Sequence, residues 1–322
     1  MRIRYACSVW LTSLLSMAFF ASAASAASAA PASEAAYLGR WDLTLHAPGH
    51  EYPSWLELTH ADGALRARLT SRWGHPRELP QASVTDGHLR FVSPKAEEDR
   101  QDDMVFDGQL VGDTLEGVTT GPDGATWSWS GVRAPSLKRT GVPRWGKPRR
   151  LFNGKDLSGW HSADPDARMS WTVVEGAMRS PGHGPELVSD EKFDDFKLHI
   201  EFNRGKGANS GVYLRGRYEL QVEDDPAPEA PTMRTGGLYG FLAANPPATR
   251  DNGVWHRYDV MLVGRTLTVR LDGKTIIDHQ EIPGITGGAL DSQEQLPGPF
   301  YLQGSEDGNV LYRNIIVTPA RP

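Results

Sequence analysis

The amino-acid sequence predicts an all-β protein. Short segments in which apolar and polar side chains alternate recur along the chain, which is the pattern of half-buried strands. Dipeptides such as Asp62-Gly63, Asp86-Gly87 and Asp272-Gly273 separate these segments and can supply the positive φ that a tight hairpin needs. The 322 residues include 34 glycines and 23 prolines, so turns are frequent and long helices are disfavoured. One short helical candidate remains, at Gly288–Gln293.

Residues 1–30 are predicted to be a signal peptide. Arg2 and Arg4 precede an apolar run from Val9 to Ala21, and a tract of Ala and Ser with A-x-A cleavage patterns follows it. The run is too short for a retained membrane helix, so we expect export to the periplasm or the cell exterior. The only cysteine, Cys7, lies in this segment, so we expect no disulfide, thiol nucleophile or thiolate metal site in the mature chain.

The charge balance argues against nucleic acid as a partner. The chain carries 34 Lys+Arg against 40 Asp+Glu, a net charge of −6, and no basic stripe is evident in either half. Basic residues cluster only between Lys138 and Arg150, a segment that also contains Pro143 and Pro148. This composition is typical of a linker. Outside the signal, no segment approaches membrane-spanning length.

Roughly 290 residues remain, enough for two domains at about 150 residues each. We place a first β-domain at 37–137, the linker at 138–150 and a second β-domain at 151–319. Antiparallel strands at the spacing of the first domain close most simply into a small meander or barrel. Its opening, Gly39-Arg40-Trp41-Asp42, is similar to that of a lipocalin. The expected strands are Trp41–Leu45, Trp55–Leu58, Leu65–Leu69, Leu89–Val92, Met104–Phe106 and Trp127–Trp129.

The tryptophans of the first domain have two interpretations. They fill the core and plug of the barrel, or they line a platform on which a sugar ring stacks. The residues are Trp41, Trp55, Trp73, Trp127 and Trp129.

The second domain has more and longer strands. A dozen strands in this length predict a two-sheet sandwich with one concave and one convex face. The clearest are Trp171–Val174, Phe196–Phe202, Val212–Val222, Trp255–Val263, Thr266–Leu271, Phe300–Leu302 and Asn309–Val317.

A polar strand face in the second domain is the first candidate site. Alternation from Val212 onward puts Arg215, Arg217, Glu219 and Gln221 on one side of the predicted strand. Such groups are costly to bury without partners, so a concave face that binds a polyhydroxylated ligand is predicted. Under the alternative interpretation, Glu219 merely pairs with an arginine across the sheet.

Three neighbouring features extend this site. The loop Asp225–Ala248 is long enough to be a binding loop, and its Tyr239, with Trp255, is placed to stack on a pyranose ring. Glu223, Asp224 and Asp225 offer oxygen ligands that suit calcium or magnesium, although such an acidic run is commonly just solvated. No cofactor is predicted, and a divalent cation such as calcium is the one open option. His183 is a candidate base, with His161 and His256 as alternatives, against surface or packing roles for each.

A set of short motifs occurs in order through the second half. They are 151–160 (LFNGKDLSGW), 196–198, 209–212 (NSGV), Arg215, 218–221 (YELQ), 237–240 (GLYG), Trp255, 271–273, 298–299, 302–304 (LQG) and 312–315 (YRNI). With these motifs the chain resembles the 3-keto-disaccharide hydrolase family over about residues 150–318. This resemblance implies a concanavalin-like jelly roll.

The resemblance also implies cleavage of glycosides oxidised to a ketone at C3. A C3 carbonyl acidifies the C2 proton, so a base removes it, the enolate expels the C1 oxygen, and water then adds. We expect Glu219 to be the acid or base and Arg215 to hold the enolate oxygen. Asn209, Gln221 and Arg217 are expected to bind sugar hydroxyls.

One segment departs from the family. Many relatives carry a histidine after Leu-Gln-Gly, where this chain has Ser305-Glu306-Asp307-Gly308. Glu306 or Asp307 would have to substitute for that histidine.

Two other functions use the same strand face. One is a non-catalytic carbohydrate-binding protein, because concanavalin-like folds host lectins as readily as enzymes. The other is direct glycoside hydrolysis by two carboxylates, such as Glu219 with Glu201 or Asp224.

Overall fold

The computed structural model describes residues 32–72, 74–96, 100–121, 124–180, 182, 184–224, 230–248, 251–305 and 308–321. The predicted signal peptide lies outside these residues. Ala32–Pro322 form one compact unit. Its described residues contain strands and two short 3-10 helices, Glu34–Ala36 and Pro231–Met233, so the all-β prediction is confirmed. Neither of these helices could reach across a bilayer.

The first half is a curled nine-stranded antiparallel sheet. Its strands run in the order β4-β3-β2-β1-β9-β8-β7-β6-β5, and β5 returns against β3, so the sheet forms a small barrel. The strands are β1 (Gly39–Ala47), β2 (His50–Ala61), β3 (Ala64–Thr70), β4 (Arg77–Glu78), β5 (Gln81–Thr85), β6 (His88–Ser93), β7 (Met104–Val111), β8 (Thr114–Thr120) and β9 (Thr126–Arg133).

Aromatic side chains fill the barrel. Trp41 and Trp129 are fully buried in it, and the Phe91 and Phe106 rings stack 4.4 Å apart beside Trp129. A Cβ at Gly108 or Gly117 would lie 2.5 Å from the Trp129 ring, so the ring fits only because these positions are glycines. The core interpretation therefore applies to Trp41 and Trp129.

The second half is a sandwich of two antiparallel sheets with the hydrophobic core between them. An eight-stranded sheet has the order β12-β13-β22-β15-β18-β19-β20, with β10 paired to β22, and a five-stranded sheet has the order β11-β14-β21-β16-β17. This is the jelly-roll sandwich that was predicted. The strands are β10 (Arg149–Arg150), β11 (Trp160–Ser162), β12 (Thr172–Val174), β13 (Ala177–Ser180), β14 (Leu187–Phe193), β15 (Phe196–Arg204), β16 (Asn209–Leu214), β17 (Tyr218–Glu223), β18 (His256–Val263), β19 (Thr266–Leu271), β20 (Lys274–Glu281), β21 (Gly298–Leu302) and β22 (Val310–Pro319).

Two local predictions are wrong. The single strand expected at Val212–Val222 is a hairpin, because Arg215 and Gly216 adopt φ of +54° and +67° and turn the chain back between β16 and β17. The helix expected at Gly288–Gln293 is an irregular loop. Gly288 has φ of +74°, and the Asp291 carboxylate accepts the Gln293 N–H at 2.8 Å, so local bonds compete with helical ones.

The barrel packs directly on the sandwich. Trp55 of β2 is fully buried, and it belongs to the sandwich core rather than to the barrel core. A Cβ at Gly284 would lie 2.6 Å from Cε2 of Trp55, so the Trp55 ring packs tightly against the loop that contains Gly284. Thr44 of β1 and Ser292 share a hydroxyl–hydroxyl hydrogen bond of 2.5 Å. Arg265 of the sandwich donates to the Pro135 carbonyl at 2.7 Å.

Candidate functional site

The outward face of the β16–β17 pair carries the polar groups of the site. In the antiparallel register Gly211 pairs with Gln221 and Tyr213 with Glu219, so these four residues share one face. The alternate residues, such as Val212 and Leu220, point into the sandwich core. The same alternation that buries the apolar side chains therefore presents Glu219 and Gln221 together on the other side.

A small cavity of about 110 Å³ opens on this face. It contains four of the predicted site residues, Asn209, Glu219, Gln221 and Tyr239. Tyr213, Gln303 and the backbone of Gly287 and Gly288 complete its lining. Drug-sized ligands occupy pockets of about 300–1,000 Å³. This cavity is smaller, so it suits a ligand no larger than a single sugar ring.

The Glu219 carboxylate lies across the neighbouring strand. A Cβ at residue 211 would lie 2.7 Å from Cγ of Glu219 and closer still to the carboxylate, so only glycine permits this position. The Glu219 N–H donates to the Thr286 hydroxyl at 3.1 Å, and its carbonyl accepts the Tyr239 N–H at 3.0 Å. The loops that contain Thr286 and Tyr239 thus hold the backbone of Glu219, which lies on the edge strand β17.

Two tyrosines stack near Glu219, and one of them, Tyr213, lines the cavity. The Tyr213 and Tyr301 rings lie 4.2 Å apart and nearly parallel. Burial, with the Glu219 carboxylate adding to it, raises the pKa of Tyr213 well above its usual value. The Tyr213 hydroxyl donates to the Gly287 carbonyl at 2.8 Å. It therefore stays protonated and is a hydrogen-bond donor beside the carboxylate.

Two amide oxygens in the lining are buried without a hydrogen-bond partner among the described residues. They are Oε1 of Gln221 and Oε1 of Gln303. The other amide atom of Gln221, Nε2, donates to Glu223 at 3.0 Å, which fixes the orientation of the group. Buried acceptors without partners are costly, and a ligand that supplies hydroxyl donors would remove that cost.

The chain matches a family model over residues 147–318. The family is described as the 3-keto-alpha-glucoside-1,2-lyase-like domain. This chain belongs to that family. The match spans the whole sandwich and the end of the linker, and it leaves the barrel outside.

Individual relatives are distant. A 3-keto-disaccharide hydrolase from Bacteroides thetaiotaomicron is 23% identical over 165 residues, which cover 40% of this chain and 57% of that protein. This chain therefore spans little more than half of that relative. Two Parabacteroides distasonis structures of proteins described as possible glycosyl hydrolases are 26% and 18% identical, with TM-scores of 0.47 and 0.44. They cover 56% and 54% of this chain and 92% and 94% of their own.

The family motif around residue 215 does not supply catalytic arginines here. Arg215 is fully buried outside the cavity, where Nη2 contacts carboxylate oxygens of Asp194 at 3.1 Å and Asp195 at 3.0 Å. Arg217 is also buried and pairs with Asp291 at 2.6 Å. The prediction that both face a sugar is wrong, because the turn at 215–217 takes them off the strand face.

Four further predicted residues lie outside the cavity or outside the described residues. Trp255 is outside the cavity, with the Arg313 guanidinium 3.8 Å above its ring, and its stacking role stays a prediction. His183, Glu306 and Asp307 lie outside the described residues, and their roles stay predictions.

The alternative histidines have structural partners. His161 pairs with Asp190 at the surface, and His256 is buried against Asp272 at 2.8 Å.

The two-carboxylate alternative fails for Glu201. This residue alternates with core residues Ile200 and Phe202 on β15, so it points outward from the eight-stranded sheet and is separated from Glu219 by the core. Partial burial raises its pKa, but hydrogen bonds from Arg313 and Asn314 outweigh that effect and lower it overall. Glu201 is held as an ionised partner of Arg313, at 2.7 Å.

The acidic segment after β17 is partly described. A hydrogen bond from Asn252 and another from the Gly207 N–H lower the pKa of Asp224. Asp225 lies outside the described residues. Elsewhere in the described ranges, no group of three or more His, Cys, Asp or Glu side chains converges as a metal site requires.

Proposed function

We propose that this protein cleaves 3-keto-glycosides at the β16–β17 cavity, with Glu219 as the base. The observation that carries the proposal is the cavity itself, in which a carboxylate lies beside the amide oxygens of Gln221 and Gln303 that have no described partner. Membership of the 3-keto-alpha-glucoside-1,2-lyase-like family supplies the substrate class.

The reaction needs one well-placed base. The ketone at C3 acidifies C2–H, and the Glu219 carboxylate takes that proton while the C–H electron pair forms the enolate. The enolate re-forms the C3 ketone as a C1=C2 double bond forms and the C1–O bond breaks. The expelled oxygen takes the proton that Glu219 removed and leaves as the free alcohol. Water then adds its hydroxyl to C1 and its proton to C2, which gives the free 3-keto sugar. Tyr213, which stays protonated, would stabilise developing negative charge if its hydroxyl turned from the Gly287 carbonyl to the substrate.

The first experiment incubates the purified protein with a 3-keto-glucoside, a 3-keto-disaccharide and their unoxidised parents. Products are followed by mass spectrometry and ultraviolet absorbance, with and without a chelator. Cleavage of the keto substrates alone supports the elimination route. Cleavage of the parents would indicate direct hydrolysis instead, and saturable binding without turnover would indicate a carbohydrate-binding protein. Loss of activity in chelator would reveal a required cation.

Replacing Glu219 by glutamine separates catalysis from binding. General base catalysis is worth about 10²–10⁴-fold, so we expect kcat to fall by that factor while the ketone substrate still binds. Glu201→Gln is the matched control, because Glu201 lies on the other sheet, and its kcat should be unchanged. Equal activity of Glu219→Gln and wild type would overturn the role of Glu219.

We propose also that the protein is exported, on the strength of the signal-like pattern in residues 1–30. Comparison of the mass of the secreted chain with that of the full sequence would test this.

A further inference from the structure

The barrel touches both loops that form the cavity. The Gly288 N–H donates to the Arg72 carbonyl of the barrel at 2.7 Å, and Gly288 lines the cavity. On the other side, a Cβ at Gly240 would lie 2.7 Å from Cβ of His75, so His75 lies directly on the residue that follows Tyr239. Two barrel residues between β3 and β4, Arg72 and His75, therefore contact the loops on two walls of the cavity.

A second contact fixes the same Tyr239 loop. The Phe241 ring meets the Trp55 ring edge-on at 5.2 Å, and Trp55 belongs to β2 of the barrel. The barrel thus contacts the Tyr239 loop through His75 and Trp55, and it contacts the Gly287–Gly288 loop through Arg72. These contacts are backbone and packing contacts, so the barrel holds a fixed position at the edge of the site.

The size of the cavity requires a second binding surface for a disaccharide. At about 110 Å³ it encloses no more than one sugar ring, so the other ring must lie outside. The two barrel residues that contact the cavity loops carry suitable side chains. Arg72 is exposed, with its guanidinium 4.0 Å above the half-buried Tyr52 ring, and His75 is half-buried. Guanidinium, imidazole and aromatic groups bind sugar hydroxyls and ring faces. Trp73 lies outside the described residues and plays no part in this argument.

We propose that the barrel forms the subsite for the leaving sugar ring, with Arg72 and His75 as its binding side chains. This rests on the proposed function, in which the ring oxidised at C3 occupies the cavity. The barrel is therefore a specificity element that selects disaccharides over glycosides with small leaving groups.

The test compares two substrates in two variants. A 3-keto-disaccharide of two glucose units and methyl 3-keto-glucoside are assayed with wild type and with the double variant Arg72→Ala/His75→Ala. Loss of hydrogen bonds to one ring should reduce kcat/KM for the disaccharide by about tenfold or more. The methyl glycoside has no second ring, so its kcat/KM should change by less than about twofold.

The control is Arg90→Ala, an exposed arginine on β6, which should leave both substrates unaffected. Thermal unfolding of each variant checks that the fold is retained. Equal losses for both substrates would show that Arg72 and His75 only position the cavity loops, and no loss for either would show that they are not part of the site. Either result overturns the proposal.

Failure of the proposed function gives a different result. If wild type converts neither ketone substrate, binding of the unoxidised disaccharide and of methyl glucoside is measured by calorimetry. Tighter binding of the disaccharide that disappears in the double variant would support the subsite without the reaction. Absence of disaccharide binding to wild type would overturn the subsite.

Discussion

Glu219 depends on the absence of a side chain at residue 211. The carboxylate occupies the space that a Cβ at Gly211 would fill, so a substitution there moves the proposed base without touching its chemistry. This is a residue-scale constraint, because the strand pairing itself needs nothing special at residue 211.

We expect Gly211→Ala to reduce kcat/KM by about 10²-fold, since displacement of a catalytic group by about 1 Å has costs of that order. The measurement is steady-state kinetics on the 3-keto-disaccharide. Gly207→Ala is the control, because Gly207 has a φ of +71° but no atom within 4 Å of an added Cβ. Gly207→Ala should lower the free energy of unfolding, because alanine is strained at a positive φ, and it should leave kcat/KM unchanged. Full activity in Gly211→Ala would contradict the position assigned to the Glu219 carboxylate.

At the scale of elements, the β16–β17 hairpin is held by an ion cluster around the buried Arg215 and Asp195. Arg215 in the turn contacts Asp194 and Asp195, and Asp195 also accepts from Arg139 of the linker at 2.9 Å and from the Gly264 N–H at 2.8 Å. The turn that takes Arg215 out of the site therefore joins the hairpin, the linker and the β18–β19 turn.

Arg215→Met should lower the free energy of unfolding and spare catalysis. Removal of one partner of a buried pair costs about 3–5 kcal/mol, and we expect about 2–3 kcal/mol because Arg139 still pairs with Asp195. Urea unfolding measures the loss, and kcat/KM of the folded protein should stay within about twofold of wild type. A collapse of kcat with unchanged stability would restore the catalytic role that the sequence suggested for Arg215.

At the scale of the whole molecule, a carboxyl pair lies between barrel and sandwich. Asp42 of β1 and Glu294 of the sandwich are both buried. Glu294 is ion-paired with Arg265 and accepts the Tyr218 hydroxyl at 2.7 Å. Burial raises the pKa of Asp42 to about 10, and the Glu294 charge adds to the shift. As a carboxylate Asp42 has no hydrogen-bond donor among the described residues, but when protonated it can donate to Glu294.

This pair makes stability fall as pH rises. The unfolded chain releases the Asp42 proton near pH 4, whereas the folded chain keeps it until about pH 10. Between these values the folded state holds the extra proton, so the free energy of unfolding decreases with pH. Asp42→Asn keeps a hydrogen-bond donor for Glu294 and removes the titrating carboxyl group. The free energy of unfolding, measured in urea, should then vary less between pH 5 and 9. At pH 9 it should be higher than that of the wild type. Asp86→Asn, at an exposed turn, should retain the wild-type slope. Persistence of the slope in Asp42→Asn would place its origin elsewhere.

The sequence by itself determined the fold class, the family and part of the site. The shared strand face of Glu219 and Gln221 was predicted correctly because alternation fixes which side of a strand a residue faces, whatever the strand pairs with. Asn209 and Tyr239 were found through the family motifs and loop length. Alternation, motifs and loop length are properties of the local sequence, so they can be recognised without the tertiary structure.

Only the tertiary structure decided which groups meet. The positive φ of Arg215 is rare for a residue other than glycine, so alternation carried Arg215 and Arg217 wrongly onto the face of Glu219. Gln303 was missed because the pairing of β16 with β21 joins distant parts of the chain. Tyr213 was missed because the hairpin that pairs it with Glu219 was predicted as a single strand. The place of Arg72 and His75 beside the cavity likewise follows from packing between two halves that share no sequence motif. Long-range contacts depend on how whole sheets pack, and local patterns do not encode them.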